Sequence, residues 1–499
     1  MSTLRRNILY NVAGQGLLLL LGLGAVRLVF HRLGADAFGI ILFAQSSGLV
    51  LASMLELGIS ATTVREVATH LKDDRPYVLD LLRTAAFLYW AAYLALVVAL
   101  MMGSAWIATR WLTVKAIDPA SASQLLQVLG TGALLVLPRS LYASLFRGLQ
   151  RMGVTNAIEV GAMALQLLGT IVILMLRGGV FGVAWWLTAT YALSVVAYLG
   201  FALQAGVPWR ALLPGFSMPV LRRNARFATH MMSISALGAV YGQQDKLLVS
   251  KLMPVRLLGT FGFASTMVAS VLRLLSAIVQ AAFPAFAEMV RRQDRSEMMR
   301  RYHRVHALIT FGAVPCFTGL VFAAKPLFGY VFDDATAREL MLPTALLCLG
   351  SYMNATLQAP YMVSLAVGKP EIAVRQNLIA LVTVLPLSVL SVWRFGLAGA
   401  GLAWVLHHVL AYGYGVPRMC RECLELPTSQ WFAGVLRIMA LAVVTYGPAF
   451  VIAAALGSGI VVLSVSFALA TAAYAALGFL IMGRELRPAG RQINVADAA

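Results

Sequence analysis

Seven ionisable residues stand inside long apolar stretches of this sequence. Arg27, Arg139, Lys246 and Arg273 are cationic; Glu56, Glu159 and Asp245 are acidic. A charge at membrane depth costs about 2.5–3.5 kcal/mol on insertion scales, so such a group faces a cavity or a partner. A guanidinium donates paired N–H groups to two oxygens, which suits phosphate and diphosphate. A carboxylate at the same depth can take up a proton or a cation. The four cations are thus candidate contacts for an anionic substrate, and Asp245, Glu56 and Glu159 are candidates for ion coupling.

Each residue has a plainer reading. Arg27 lies near the end of its apolar run and can reach the headgroups. Arg139 follows Pro138, whose missing N–H leaves a carbonyl for it to satisfy. Asp245 and Lys246 are neighbours and can neutralise one another. Glu56 and Glu159 lie nearer helix ends, within reach of Arg65 and Arg147. Arg273 stands near the middle of its run, where snorkelling is hardest.

Other constellations carry less. Cys420-x-x-Cys423 has metal-like spacing but lacks a second pair, so no metal site is expected. Asp73-Asp74 and Asp333-Asp334 read as solvated turns, and His407-His408 as neutral packing or helix–helix hydrogen bonding. Without a Walker-type phosphate loop or a nucleophilic triad, no catalytic residue and no cofactor are expected. A transporter fits better than an enzyme.

The elements that hold these groups must suit lipid. By length, 499 residues would allow about three soluble domains. Yet 60% of residues are hydrophobic, 12% are charged, and the mean hydropathy is +0.81. Soluble domains carry about 25% charged residues. The 39 Lys+Arg against 20 Asp+Glu give a formal net charge of +19. Cationic loops that orient membrane helices account for it. No RNP-like or zinc-finger spacing points to nucleic acid, so no such partner is expected. The four cysteines are too scattered for a disulfide framework.

Apolar runs of about 20 residues, enough to cross the hydrocarbon core, fall near 8–29, 38–63, 83–106, 124–146, 155–176, 181–203 and 225–250. Others fall near 257–283, 305–331, 339–365, 371–392, 397–417, 432–456 and 459–482. The expected fold class is an all-α polytopic membrane protein with about 14 transmembrane helices. The first run reads as a retained helix, because Arg27, His31 and Arg32 follow it instead of a small-residue cleavage site. Alternate assignment of the loops puts about 25 Lys and Arg on one side and about 9 on the other. That asymmetry predicts both termini in the cytoplasm.

A weak duplication runs at an offset of about 220 residues. Phe38-Gly39 and Phe43-Ala44 correspond to Leu258-Gly259 and Phe263-Ala264; Gly182-Val183-Ala184-Trp185 corresponds to Gly401-Leu402-Ala403-Trp404. The pattern predicts two six-helix lobes, 1–204 and 225–420, joined by a cytoplasmic linker at 205–224 and related by a pseudo-two-fold axis along the membrane normal. Residues 421–499 add two C-terminal helices and a short cytoplasmic tail. Such parallel repeats are typical of transporters with the path between the halves.

The opening segment, Asn7, Gly14, Arg27, Leu33-Gly34-Ala35-Asp36-Ala37-Phe38-Gly39, then Glu56-Leu57-Gly58-Ile59-Ser60 and Arg65-Glu66, resembles that of polysaccharide biosynthesis membrane proteins. Asp245, Leu258-Gly259, Phe263-Ala264, Gly153, Gly368 and the paired Gly-x-Ala-Trp positions extend the likeness over most of the chain. These are the Wzx-type O-antigen flippases of the MOP superfamily, which also holds MurJ and the MATE exporters. Glu56 departs from the aspartate expected there. The resemblance implies a V-shaped cavity between rocking lobes in the bacterial inner membrane. It implies an undecaprenyl-diphosphate-linked oligosaccharide as substrate, H⁺ or Na⁺ as coupling ion, and a glycan polymerase as a possible partner. Arg27 and Arg273 would meet the diphosphate. Helices 13 and 14 exceed the twelve of a minimal MATE protein. MATE-type export of drugs or metabolites, or a membrane enzyme of the same glycan pathway, are the alternatives.

Overall fold

The computed structural model of the chain describes residues 18, 20–55, 58–71, 73–457 and 459–486. These residues are almost wholly helical, because a backbone in hydrocarbon must satisfy its N–H and C=O groups within its own segment. In chain order, α1 spans 20–33, α2 Ala35–Leu55, α3 Ile59–His70, α4 Arg75–Trp106, α5 Pro119–Leu134, α6 Val136–Gly148, α7 Met152–Met175 and α8 Val180–Gln204. After the short α9, Trp209–Leu212, come α10 Met218–Leu252, α11 Val255–Arg291, α12 Arg295–Val331 and α13 Asp334–Ala366. Then follow α14 Glu371–Leu410, α15 Val416–Met419, α16 Thr428–Ala455 and α17 Ile460–Leu486.

Local sequence chemistry sets the helix ends. Asp74, Asp118, Asp294 and Asp333 accept the backbone N–H groups of Tyr77, Ser121, Glu297 and Thr336 at 3.2, 2.9, 3.0 and 2.8 Å. These are N-caps, so both Asp-Asp pairs serve turns. Gly34 and Gly58, with φ of 88° and 64°, separate α1, α2 and α3. The single run expected over 38–63 is therefore two helices, since Gly58 takes a left-handed conformation that side chains resist. The run at 124–146 likewise divides at Leu135, because Pro138 has no N–H to offer the preceding turn.

Among the described residues, eleven helical segments are long and apolar enough to cross a membrane. One of them, Glu371–Leu424, has 54 residues and turns at Gly396, where φ is 59° and ψ −132°. Straight, it would measure about 80 Å, more than twice the hydrocarbon thickness. Its two arms match the runs expected at 371–392 and 397–417. Side chains such as Val98, Met102, Val382, Val443 and Leu480 point outward, an apolar exterior that lipid accepts as readily as a protein core does. The chain is an all-α, multi-pass membrane protein.

It packs as two compact units, Met1–Gly262 and Phe263–Ala499. In the first, α2 lies against α5 and α10, α3 against α6, and α8 against α5 and α7. Its core closes around Tyr89, Phe146 and Tyr198. The packing boundary falls inside α11, whereas the expected duplication places its linker at 205–224. The two divisions differ because α10, which follows that linker, packs on α2, α3 and α4. In the second unit, α12 packs on α13 and α17, α13 on α14, and α16 on α17. Phe311 stacks on Tyr474 at 4.4 Å, and the Tyr474 hydroxyl donates to the Phe311 carbonyl at 3.0 Å.

Candidate functional site

Arg139 and Glu159 belong together. The break at Leu135 presents Arg139 on α6 toward α7, where its Nη2 meets Glu159 Oε2 at 2.6 Å; the two side chains are 14% and 46% exposed. The Tyr198 hydroxyl, on α8, donates to Glu159 Oε1 at 3.2 Å. Three consecutive helices are thus joined through one carboxylate. A group expected to hold substrate and one expected to handle an ion form a single ion pair. Glu159 takes Arg139 as its partner, and not the Arg147 that lies nearer the helix end.

Helix α10 carries the next cluster. Asp245 is 8% exposed and Gln244 3%. Neither amide atom of Gln244 has a hydrogen-bond partner, leaving an unused donor and acceptor beside a buried carboxylate. Lys246 Nζ donates to Gln243 Oε1 at 3.0 Å, one turn back.

Arg27 is half-buried on α1. Arg273 is exposed in the second unit, where its Nη2 donates to Ser270 Oγ at 2.7 Å. Glu56 lies outside the described residues. Within the first unit, the structure joins Arg139 to Glu159 and leaves Asp245 and Lys246 in a separate cluster.

The duplicated Gly motifs have a direct structural role. A Cβ built on Gly39 would collide with the Val255 carbonyl oxygen, and one on Gly259 would lie 2.8 Å from the Phe38 ring and 3.0 Å from the Gly39 nitrogen. The two glycine-bearing segments touch, and only glycine permits that approach. Beside them, Asp36 is buried and its Oδ2 accepts the backbone N–H groups of Lys115 and Ala116 at 2.8 and 2.7 Å. Val255 N donates to the Thr113 carbonyl at 3.0 Å and Trp111 Nε1 to Ser250 Oγ at 3.1 Å. The 107–118 segment is therefore tied both to α2 and to the α10–α11 junction.

Two polar groupings escaped sequence reasoning. Glu66 is buried among Arg65, His70 and Tyr77, whose hydroxyl donates to Glu66 Oε2 at 3.1 Å and accepts Asn224 Nδ2 at 2.9 Å. The Arg223 guanidinium lies 3.9 Å above the Tyr77 ring. This network joins α3 and α4 to α10; Arg65-Glu66 in the opening motif was its one visible sign. In the second unit, His408 Nδ1 donates to the Trp404 carbonyl at 2.8 Å, which leaves Nε2 to accept Asn354 Nδ2 at 2.9 Å. Gln358 Nε2 donates to Asn354 Oδ1 at 2.7 Å. Asn354, Gln358 and His408, with Gln376, Asn377 and His407, line a cavity of about 230 Å³. His407-His408 was legible as a helix–helix hydrogen bond, but not as a cavity wall.

Among the described residues, no three His, Cys, Asp or Glu side chains gather as a metal would require. The arrangement suits charge held between helices, not bond making.

Comparisons with known proteins agree with that geometry. The family profile described as polysaccharide biosynthesis protein matches residues 32–335. A Shigella flexneri protein described as an O-antigen transporter is 19% identical over 407 residues, covering 81% of this chain and 95% of its own. In fold, the chain is similar to the lipid II flippase MurJ in an inward closed conformation, with a TM-score of 0.73 and 12% identity over 96% of this chain and 100% of that one. It is also similar to an inward-facing multidrug resistance MATE family transporter of the MOP superfamily, with a TM-score of 0.68 and 12% identity over 81% of this chain and 95% of that one.

Proposed function

The chain belongs to the polysaccharide biosynthesis protein family, and from that premise we propose that it moves an undecaprenyl-diphosphate-linked oligosaccharide from the cytoplasmic to the periplasmic leaflet of the inner membrane. The observation that carries the reading is the family match over residues 32–335. The fold likeness adds support: it covers 96% of this chain for the lipid II flippase and 81% for the MATE transporter.

In this reading the copies 1–204 and 225–420 act as lobes that rock about the 205–224 linker, with both termini in the cytoplasm. Arg27, Lys246 and Arg273 are the candidate contacts for the diphosphate, the two arginines through paired N–H groups. Arg139 is neutralised by Glu159 in this conformation and becomes available when that pair opens. Asp245, beside the unpartnered Gln244 amide, takes the coupling ion, H⁺ or Na⁺; Glu56 and Glu159 are secondary candidates. The prenyl tail stays in lipid, and a polymerase can receive the glycan on the far side.

The competing reading is cation export of MATE type. The charges at depth favour an anion, which weighs against it.

The decisive experiment removes the gene and follows the lipid-linked sugar. Accumulation on the cytoplasmic face, with loss of surface glycan, is the expected result. Unchanged glycan display together with new drug sensitivity would replace this reading with the exporter.

A further inference from the structure

In the second unit a cavity of about 480 Å³ lies between α12 and α16, near the start of both helices. Its polar wall comprises Tyr302, His303, His306, Gln430, Trp431 and Arg437. Among the described residues, His306 Nε2 is buried without a hydrogen-bond partner, and the Tyr302 hydroxyl, toward which Trp431 Nε1 turns, has no acceptor for its own proton. Tyr302 is 1% and Trp431 4% exposed. Their rings are held in place, since Tyr302 stacks on His306 at 5.5 Å and His306 lies 5.6 Å from Trp431.

Buried polar groups are nearly always hydrogen-bonded, so an unaccepted Tyr302 proton beside the lone His306 nitrogen marks a place where a ligand supplies the missing partners. The wall is rich in donors. Trp431 Nε1–H can only donate, Arg437 brings five N–H groups and a fixed charge, and Tyr302 and Gln430 donate as well. No carboxylate lines the cavity. Among the described residues, Glu425, just before α16, is engaged with Arg295 at 3.1 Å, and Arg437 makes no ion pair. The volume is within the range of small-ligand pockets, about 300–1,000 Å³. Leu436, next to Arg437, is exposed on a helix long and apolar enough to cross a membrane.

We propose that the cavity between α12 and α16 is a phosphate-binding site. Arg437 provides the charge, and the Tyr302 and Gln430 donors complete the oxygen shell. The phosphate comes either from a lipid headgroup or from a soluble phosphate. The proposal does not rest on the transport reading, because none of these residues is assigned to the substrate path.

The test uses the full chain, delipidated in a phosphate-free maltoside detergent. Phosphatidylglycerol, diacylglycerol of the same chain length, and inorganic pyrophosphate are each titrated. Binding is followed by native mass spectrometry and by the shift in melting temperature. Phosphatidylglycerol is expected to bind and stabilise, and diacylglycerol is not. Stabilisation by pyrophosphate as well identifies a soluble source of the same chemistry.

Arg437→Gln should weaken the phosphate-bearing probe about tenfold. Tyr302→Phe, which keeps the ring and its packing, should weaken it a few-fold at an unchanged basal melting temperature. Diacylglycerol matching phosphatidylglycerol, no response to either phosphate probe, or unaltered binding by both variants would each overturn the proposal.

Discussion

Nη2 of Arg139 and Oε2 of Glu159 stand 2.6 Å apart, joining two helices of the first unit through opposite charges. A desolvated pair of this kind contributes little over an apolar pair, but breaking it strands a charge in a poor solvent. Glu159→Gln should therefore cost about 1–3 kcal/mol, below the fully buried limit because the carboxylate is 46% exposed. The double variant with Arg139→Gln should recover much of that loss. Thermal melting of purified protein in detergent compares the two; equal losses in single and double variants would mean the pair is not coupled.

Asp36 gathers two backbone N–H groups from the segment after α4. Asp36→Ala orphans both and should destabilise the protein by about 2 kcal/mol. Asp36→Asn keeps an acceptor and should cost less. The melting temperatures of the two variants rank them, and a smaller effect for alanine would refute the clamp.

Gly39 has no room for a Cβ against the Val255 carbonyl. Gly39→Ala should force α2 from the α11 entry at about 1–3 kcal/mol and lower the amount of folded protein in the membrane. Gly259→Ala meets the Phe38 ring edge and should be milder, because a ring can shift where a carbonyl cannot. Membrane abundance and melting temperature measure both.

Arg273 is exposed and its Nη2 donates to Ser270 Oγ on the same helix. Arg273→Ala should abolish surface glycan while the protein stays in the membrane at its normal level. Arg273→Lys should retain part of the activity, since it keeps the charge without the paired donors. Full glycan display by the alanine variant would remove Arg273 from the substrate path.

Asp245 should separate binding from movement. Asp245→Asn is expected to stall transport and spare substrate binding, measured by flipping in proteoliposomes and by lipid-linked sugar retained on the purified protein. Transport at the wild-type rate would place ion coupling elsewhere.

Membrane character, nearly every helix and the family were legible in the residues, because each rests on local chemistry. A 20-residue apolar run must span or be buried, an Asp three residues before a free N–H caps a helix, and charge bias between loops needs no tertiary information. The misplaced details were local too, but depended on single residues inside long runs. Gly58 and Pro138 interrupt helices that hydrophobicity alone carries through.

The sequence by itself determined which ionisable groups fall inside apolar runs, since that depends on position in the chain alone. Only the tertiary structure decided their partners. Arg139 could be assigned to its own kinked backbone or to a substrate, yet α6 and α7 pack so that it meets Glu159. Tyr302, His306 and Trp431 share one wall only because α12 and α16 approach there. The direction of a side chain around its helix follows from roughly 100° per residue; which neighbour waits in that direction depends on how the helices pack, and no local pattern encodes it.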